Sequence, residues 1–197
     1  IKIRGGASHI FFGPTYSMPN ADLLTAVKSE VRGIEGLTDL SDAFYTTSIT
    51  SIPDGLFDNL PGLEDLSYAF AESSLSSLPS GIFDNNTKLT TMYYTFEEAP
   101  VASIPDGLFD NNVSITDFTG TFKGTAITEI PSTLFDNTTD AIRFGSTFKS
   151  CAIKGAVPEL WDTEKWPSVD NHSGTFEVTD SGDITNWSDI PDDWKGL

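Results

Sequence analysis

One sequence feature limits the fold more than any other: a 26-residue period that keeps its register through most of the chain. Ile52-Pro53-Asp54-Gly55-Leu56-Phe57-Asp58-Asn59 returns as Leu78-Pro79-Ser80-Gly81-Ile82-Phe83-Asp84-Asn85, and again from Ile104 and from Ile130. An altered copy, Val157-Pro158-Glu159-Leu160-Trp161-Asp162, shifts the proline by one residue but holds the rest in phase. A second aromatic phase runs through Phe44, Phe70, Phe96, Phe122 and Phe148. Between the two lie apolar pairs such as Leu63/Leu66, Leu89/Met92 and Ile115/Phe118, and Ile49/Ile52, Leu75/Leu78 and Ile127/Ile130. One period reads L-x-x-L-x-x-x-F-x-x-x-x-I-x-x-I-P-x-x-L-F-D-N-x-x-x.

A unit of this size cannot bury its own apolar side chains, whereas stacked units build one continuous core. The period therefore predicts an α/β-type repeat solenoid: a right-handed coil of about five 26-residue turns. Thr- and Ser-rich pieces such as Ser48–Ile52 and Leu89–Met92 suit short strands. Coils about 4.8 Å apart would pair these strands as parallel sheet. The proline ends the second strand, and Pro-x-x-Leu-Phe is predicted to form a single helical turn. Both phenylalanine phases are predicted core.

The ends depart from the repeat, as caps must. Asn20 is placed to N-cap a helix from Ala21 to about Arg32, whose Leu23, Leu24, Ala26, Val27 and Val31 include one apolar face. Trp161, Trp166, Trp187 and Trp194 all fall in the last third, where Phe176 and Ile190-Pro191 form a stretched final copy. The expected organisation is a helical cap over 1–36, a solenoid over 37–162 and a Trp-rich C-terminal cap over 163–197, one structural domain in all. Ile1 to Gly6 carry no initiator Met and no signal-peptide pattern, as at the start of a mature or excised piece.

The repeat resembles the BspA-like leucine-rich repeats of bacterial surface proteins, with their F-x-G-T/C, I-P and L-F-D phases. Phe122-Lys123-Gly124-Thr125, Ile130-Pro131 and Leu134-Phe135-Asp136 carry the likeness most clearly, and Phe148-Lys149-Ser150-Cys151 more loosely. It extends over about Leu37 to Asp162. The resemblance implies a leucine-rich-repeat coil and a secreted or cell-surface module for adhesion to a host, matrix or neighbouring cell. It brings no catalytic residues.

Composition narrows the function. Eleven basic residues face 29 acidic ones, for a net charge of −18. That surface repels phosphate backbones and anionic headgroups, which argues against nucleic-acid and membrane-surface partners. No run approaches 18 apolar residues, so no direct membrane insertion is expected. A single cysteine, Cys151, permits no internal disulfide and no thiolate metal site.

Catalytic signals are missing. His9 and His172 lie outside the repeat, and no nucleophile elbow, P-loop or metalloprotease helix occurs. Nothing singles out a glycosidase-like pair among the carboxylates. The chain is therefore expected to be a non-catalytic binding module.

One column needed an explanation in its own right. Asp58, Asp84, Asp110, Asp136 and Asp162 share a phase beside Asn59, Asn85, Asn111 and Asn137. Carboxylates about 5 Å apart repel by roughly 0.8 kcal/mol in water. The preferred reading has each accept backbone amides of the following coil, beside an asparagine ladder. Calcium between adjacent loops is the alternative, and Asp180-Ser181-Gly182-Asp183 is a second weak calcium candidate or a plain turn. No other cofactor is expected. Five N-x-S/T sequons, at Asn85, Asn112, Asn137, Asn171 and Asn186, would matter only in a eukaryotic secretory pathway.

Candidate ligand-binding residues come from aromatic and charged columns. Tyr68 and Tyr94 share a phase, with Tyr93 adjoining. Strand alternation sets Glu64 with Thr90 and Thr116, and Asp65 with Thr91, Asp117 and Arg143. A rigid face presenting Glu64, Asp65, Tyr68, Thr91, Tyr93, Tyr94, Asp117 and Arg143 would suit a protein or glycan on another cell. A structural spacer or phage-tail-type fibre segment presenting another domain is the alternative function.

Overall fold

The computed structural model describes residues 36–197. The predicted N-terminal helix and His9 lie outside them. Parallel one-residue bridges join Asp39 to Asp65, Asp65 to Thr91, Thr91 to Asp117, Asp117 to Arg143 and Arg143 to Asn171. The period of the sequence is thus the period of a solenoid, one coil per repeat.

Inside each coil, local structure differs from the expectation. The strands shrink to those single bridges. Pro-x-x-Leu-Phe forms consecutive β-turns rather than a helical turn: Leu56 N–H donates to Pro53 O at 3.3 Å and Asp58 N–H to Gly55 O at 3.1 Å. Glycine two residues after the proline, in three of the four copies, favours turns over continued helix. Among the described residues the one α-helix is α1, Asp192–Lys195, preceded by a 3-10 turn at Trp187–Asp189.

The segment after each bridge carries the inter-coil bonding, by division of labour. Leu40, Asp42, Phe44 and Thr46 donate N–H bonds to Asp65, Ser67, Ala69 and Ala71 of the next coil at 2.7–2.9 Å. Ala43, Tyr45 and Thr47 donate instead to carbonyls three residues back, at 3.0–3.3 Å. Alternate amides thus hold the stack and the coil in turn, and no backbone donor in the segment is left unpaired.

That geometry needs left-handed backbone at two positions per coil. Asp42, Tyr68, Tyr94, Gly120, Ser146 and Gly174 occupy one, with φ of +52° to +65°. Thr46, Glu72, Glu98, Gly124 and Ser150 occupy the other, at +53° to +69°. An L-residue there costs about 1–2 kcal/mol against right-handed backbone, a cost glycine escapes. Ser150→Gly, copying Gly124 of the preceding coil, should therefore raise stability by about 0.5–1 kcal/mol, read as an upward shift of the denaturation midpoint. A drop instead would show that the Ser150 backbone is unstrained.

The core is a pair of aromatic ladders. Phe44, Phe70, Phe96, Phe122, Phe148 and Phe176 stack with centroids 5.0–5.9 Å apart and planes within 12° of parallel. Phe57, Phe83, Phe109 and Phe135 form the second, at 6.0–6.3 Å. All ten are fully or almost fully buried.

Buried hydroxyls and amides satisfy the carbonyls that so much turn structure releases. Thr121 Oγ1 donates within reach of both Met92 O (2.9 Å) and Phe118 O (2.8 Å), and Thr147 repeats this one coil on with Phe118 and Phe144. Asn112 Nδ2 donates to Phe83 O and Asn86 O, and Asn86 Nδ2 to Phe57 O and Leu60 O. The internal asparagine pair therefore lies one residue beyond the expected column. Cys151 joins the hydroxyl phase of Thr125, its Sγ 3.0 Å from Phe122 O, and burial pushes its thiol up.

At the C-terminal end the chain folds back over the last coil. Gly174 and Phe176 donate N–H bonds to Asp193 O and Trp194 O, the direction in which earlier coils meet their successors. Trp194 is buried against Phe176, and Trp166 against Phe144. His172 stacks on Trp194 at 4.6 Å, and its Nε2 lies 2.6 Å from Asp193 Oδ2, a bond that holds the Asp193 carboxyl below its usual range.

Candidate functional site

Outside the core, the bonded segment presents a repeating surface. In the coil of residues 66–73, Ser67, Tyr68 and Glu72 reach solvent while Leu66, Ala69, Phe70, Ala71 and Ser73 are buried. Tyr93, Tyr94 and Glu98 of the next coil are outward in the same way, whereas Thr119 and Gly120 of the coil after it are buried, Gly120 beneath the Tyr94 ring.

All eight predicted binding residues fall on this face or at its margin. Asp65, Thr91, Asp117 and Arg143 are the bridge residues themselves and form one column. Glu64 lies beside it, with its carbonyl accepting Thr90 Oγ1 at 3.1 Å. The tyrosines cluster: Tyr68 stacks on Tyr94 at 5.3 Å, and Tyr93 meets both edge-on at 5.4 and 4.6 Å. Each ring is half-buried.

The bridge column has a structural duty besides. Asp65 Oδ1 accepts the Ser67 amide (2.7 Å), Asp117 Oδ1 the Thr119 amide (2.9 Å), and Thr91 Oγ1 the Tyr93 amide (3.1 Å). These short acceptors hold the entry to each turn, which explains why Asp and Thr recur at this phase. Each of these residues remains half-exposed.

Sequence reasoning missed the charged residues that frame the rings. Lys123 Nζ is 2.7 Å from Glu97 Oε1 and 5.4 Å from the centre of the Tyr94 ring. Lys149 pairs with Glu177 at 2.8 Å, and Arg143 and Asp117, both among the predicted residues, lie 3.6 Å apart. Tyr45 donates to Glu72 Oε1 at 3.1 Å. Glu97, Lys123 and Lys149 share a 26-residue phase, so tabulating charge by phase would have found them. Burial, then hydrogen bonding to Tyr93, pushes the Tyr68 hydroxyl well up, and burial raises Tyr94 against the pull of Lys123. These phenols stay protonated donors far past neutral pH.

The aspartate column behaves differently from expectation. Asp58, Asp84 and Asp110 fold back over Gly55, Gly81 and Gly107, with a carboxylate oxygen 2.6–2.9 Å from where a Cβ would stand. They are exposed, and among the described residues none of the three accepts an amide of the following coil. Solvent screening, not backbone bonding, offsets their repulsion. Asp136 pairs with Lys165 at 2.6 Å and Asp162 accepts the Glu164 amide. Asp180 takes the Gly182 amide in a plain turn. No three His, Cys, Asp or Glu side chains converge to hold an ion among the described residues, and no helix there is long and apolar enough to cross a membrane.

No protein-family model matches the chain, and no curated protein matches its sequence. Solved structures do match. The leucine-rich repeat domain of APL1B superposes with a TM-score of 0.51 at 21% identity, over 64% of this chain and 33% of that one. The LRIM1/APL1C complex gives 0.49 at 21% identity, over 64% and 21%. The ectodomain of the receptor kinase SOBIR1 from Arabidopsis thaliana gives 0.48 at 12%, over 63% and 62%. The matched region spans about a third of the APL1B domain. The fold is that of a leucine-rich-repeat-like solenoid.

Proposed function

We propose that this leucine-rich-repeat-type solenoid is a non-catalytic binding module, an adhesin-like domain of the BspA type working outside the cell or at its surface. Its ligand is a protein or glycan on a host or neighbouring cell. Glu64, Asp65, Tyr68, Thr91, Tyr93, Tyr94, Asp117 and Arg143 provide the contact face, with Lys123 and Glu97 at its centre.

The observation that carries the reading is the backbone of the tyrosines. Tyr68 and Tyr94 stand at φ of +54° and +52°, at a phase where Gly120 and Gly174 stand without strain. Bulky residues in left-handed backbone are outliers. Strain of this kind concentrates where a side chain is needed for contact. Here it holds two stacked rings on an accessible face, the amphipathic aromatic surface that binding hot spots favour.

Tyr68→Gly/Tyr94→Gly relieves the strain and removes the rings. Attachment to arrays of glycans and matrix proteins is expected to fall by at least ten-fold, on the order of 2 kcal/mol for aromatic anchors. The circular dichroism spectrum should stay that of the wild type. Attachment that survives the double change would sink this reading. Attachment should also survive a calcium chelator, because no ion site is assigned to the face. The competing reading, a spacer that displays another domain, draws on the unbroken bridge column through six coils. It predicts tolerance of substitution on every face.

A further inference from the structure

We infer that the tyrosine face takes an arginine-bearing segment of a basic protein, its guanidinium laid against the tyrosine rings among the carboxylates of the second and third coils. The inference rests on the face being a binding face and narrows its ligand to a cationic protein.

Charge gives the first argument. The segments that carry the rings, 64–72 and 90–98, hold Glu64, Asp65, Glu72, Glu97 and Glu98 and no basic residue. The matching segments of later coils are mixed, with Asp117, Asp170 and Glu177 beside Lys123, Arg143 and Lys149. Each of those three cations already has a carboxylate of the chain within 3.6 Å: Glu97, Asp117 and Glu177 in turn. Glu64, Asp65, Glu72 and Glu98 form no ion pair among the described residues. Asp65 and Glu72 accept only neutral donors, the Ser67 amide and the Tyr45 hydroxyl. The surplus of negative charge therefore lies where the half-exposed rings lie. Burial, then the Glu72 bond and the charges of Glu72 and Glu97, push the Tyr45 hydroxyl up at the edge of the same field.

The chain itself shows what such a surface holds. Lys123 Nζ lies 2.7 Å from Glu97 Oε1 and 5.4 Å from the centre of the Tyr94 ring, an ammonium shared between a carboxylate and a π-face. One coil earlier the phase of Lys123 is occupied by Glu97, and the phase of Tyr94 by Tyr68. Tyr68 thus has a carboxylate where Tyr94 has a cation, and among the described residues no cation of the chain lies over its ring. A cation from a partner would complete at Tyr68 the arrangement that Lys123 makes at Tyr94. Thr119 shares the phase of Tyr93, next to the Gly120 that the Tyr94 ring covers. Its hydroxyl is buried with no partner among the described residues, an acceptor at the foot of the rings for one more N–H.

A guanidinium suits this surface better than an ammonium. It lies flat on a phenol ring while its edge donors pair with the carboxylates beside it, and it is weakly hydrated. A neutral sugar would stack on the same rings but leave the surplus carboxylates without counter-charge. A sulfated or sialylated one would be repelled.

The test is fluorescence anisotropy of a labelled glycine–serine peptide carrying two arginines, titrated with the whole chain at physiological salt. Saturable binding is expected, several-fold weaker for the lysine peptide and absent for the citrulline peptide, which keeps the shape and loses the charge. Tyr68→Gly/Tyr94→Gly and Glu64→Gln/Glu98→Gln should each raise the dissociation constant roughly ten-fold. The Glu64 and Glu98 side chains make no hydrogen bond among the described residues, so their replacement leaves the fold intact, which thermal melting checks. Asp58→Asn/Asp84→Asn removes as much charge from turns outside the face and should change binding less than about two-fold, because salt screens distant charges. An arginine peptide that does not bind, a citrulline peptide that binds as well, tyrosine variants that bind normally, or equal effects of the two acidic pairs would each overturn the inference. Array attachment decides the binding reading separately: attachment to a neutral or acidic ligand that depends on Tyr68 and Tyr94, without arginine binding, ends this inference and keeps that reading.

Discussion

Replacing Phe122 by alanine is expected to cost about 3–5 kcal/mol of stability, toward the upper end of that range. The ring is fully buried, sandwiched between Phe96 and Phe148 at 5.6 Å on each side, and tilted against Phe109 at 6.4 Å. How much such a change costs depends on how far the neighbours can close in. Here they cannot close in much. Phe96 N–H is bonded to Thr121 O at 2.9 Å and Phe122 N–H to Thr147 O at 3.0 Å, so the coil spacing is set by the backbone on both sides of the hole. Phe122→Leu, which refills most of the volume, should recover the greater part of the loss. Chemical denaturation of the three proteins checks this. A difference below about 1 kcal/mol for the alanine variant would mean the stack contributes little, and the ladder would then be a consequence of the fold and not a cause of it.

That core was legible because apolar identity and period reinforce each other at Phe44, Phe70, Phe96, Phe122 and Phe148. Any coil of 26 residues must turn its apolar phases inward, whatever its local backbone. The backbone itself was harder to read. Thr90-Thr91 and Ser48-Ile49-Thr50 have strand propensity, but propensity is a weak prior and tertiary context decided here. Positive φ at two positions per coil turns what could have been strand into interlocked turns. The glycines that signal such positions occur at Gly120 and Gly124, yet Tyr68, Tyr94, Glu72 and Glu98 stand at the same phases and hide the signal.

The face was partly legible for a related reason. Columns of equal phase follow from the period alone, so Asp65, Thr91, Asp117 and Arg143 could be aligned without coordinates. Whether a column points outward depends on the out-out-in-in rhythm of the turns, which no two-residue alternation predicts. Lys123 and Glu97 were overlooked for that reason: strand logic extends only to the bridge, and they lie beyond it. The aspartate column shows the opposite failure. Its repetition invited a bonding role, whereas three of its carboxylates fill the space over glycines that lack a side chain.

Trp194→Ala should also remove about 3–5 kcal/mol of local packing, but the loss should be confined to one end of the molecule. Trp194 is 5% exposed and stacks near-parallel on Phe176 at 6.5 Å and on His172 at 4.6 Å, with Trp161 edge-on at 6.4 Å. Its carbonyl accepts the Phe176 amide at 2.8 Å, and that of Asp193 accepts Gly174 at 3.0 Å. α1 therefore both covers the last ring of the ladder and terminates the hydrogen-bond series. In a linear array each coil is coupled chiefly to its neighbours, so damage in the middle weakens two interfaces and damage at the end weakens one. Amide exchange separates these cases. In Trp194→Ala the amides of Gly174 and Phe176 should exchange much faster, while those of Phe70 and Phe96, several coils away, keep wild-type protection. In Phe122→Ala protection should fall on both sides of the missing ring. Equal loss of protection in every coil for Trp194→Ala would show that the solenoid unfolds as a single cooperative unit. Unchanged exchange at Phe176 would show that α1 does not hold the end of the stack.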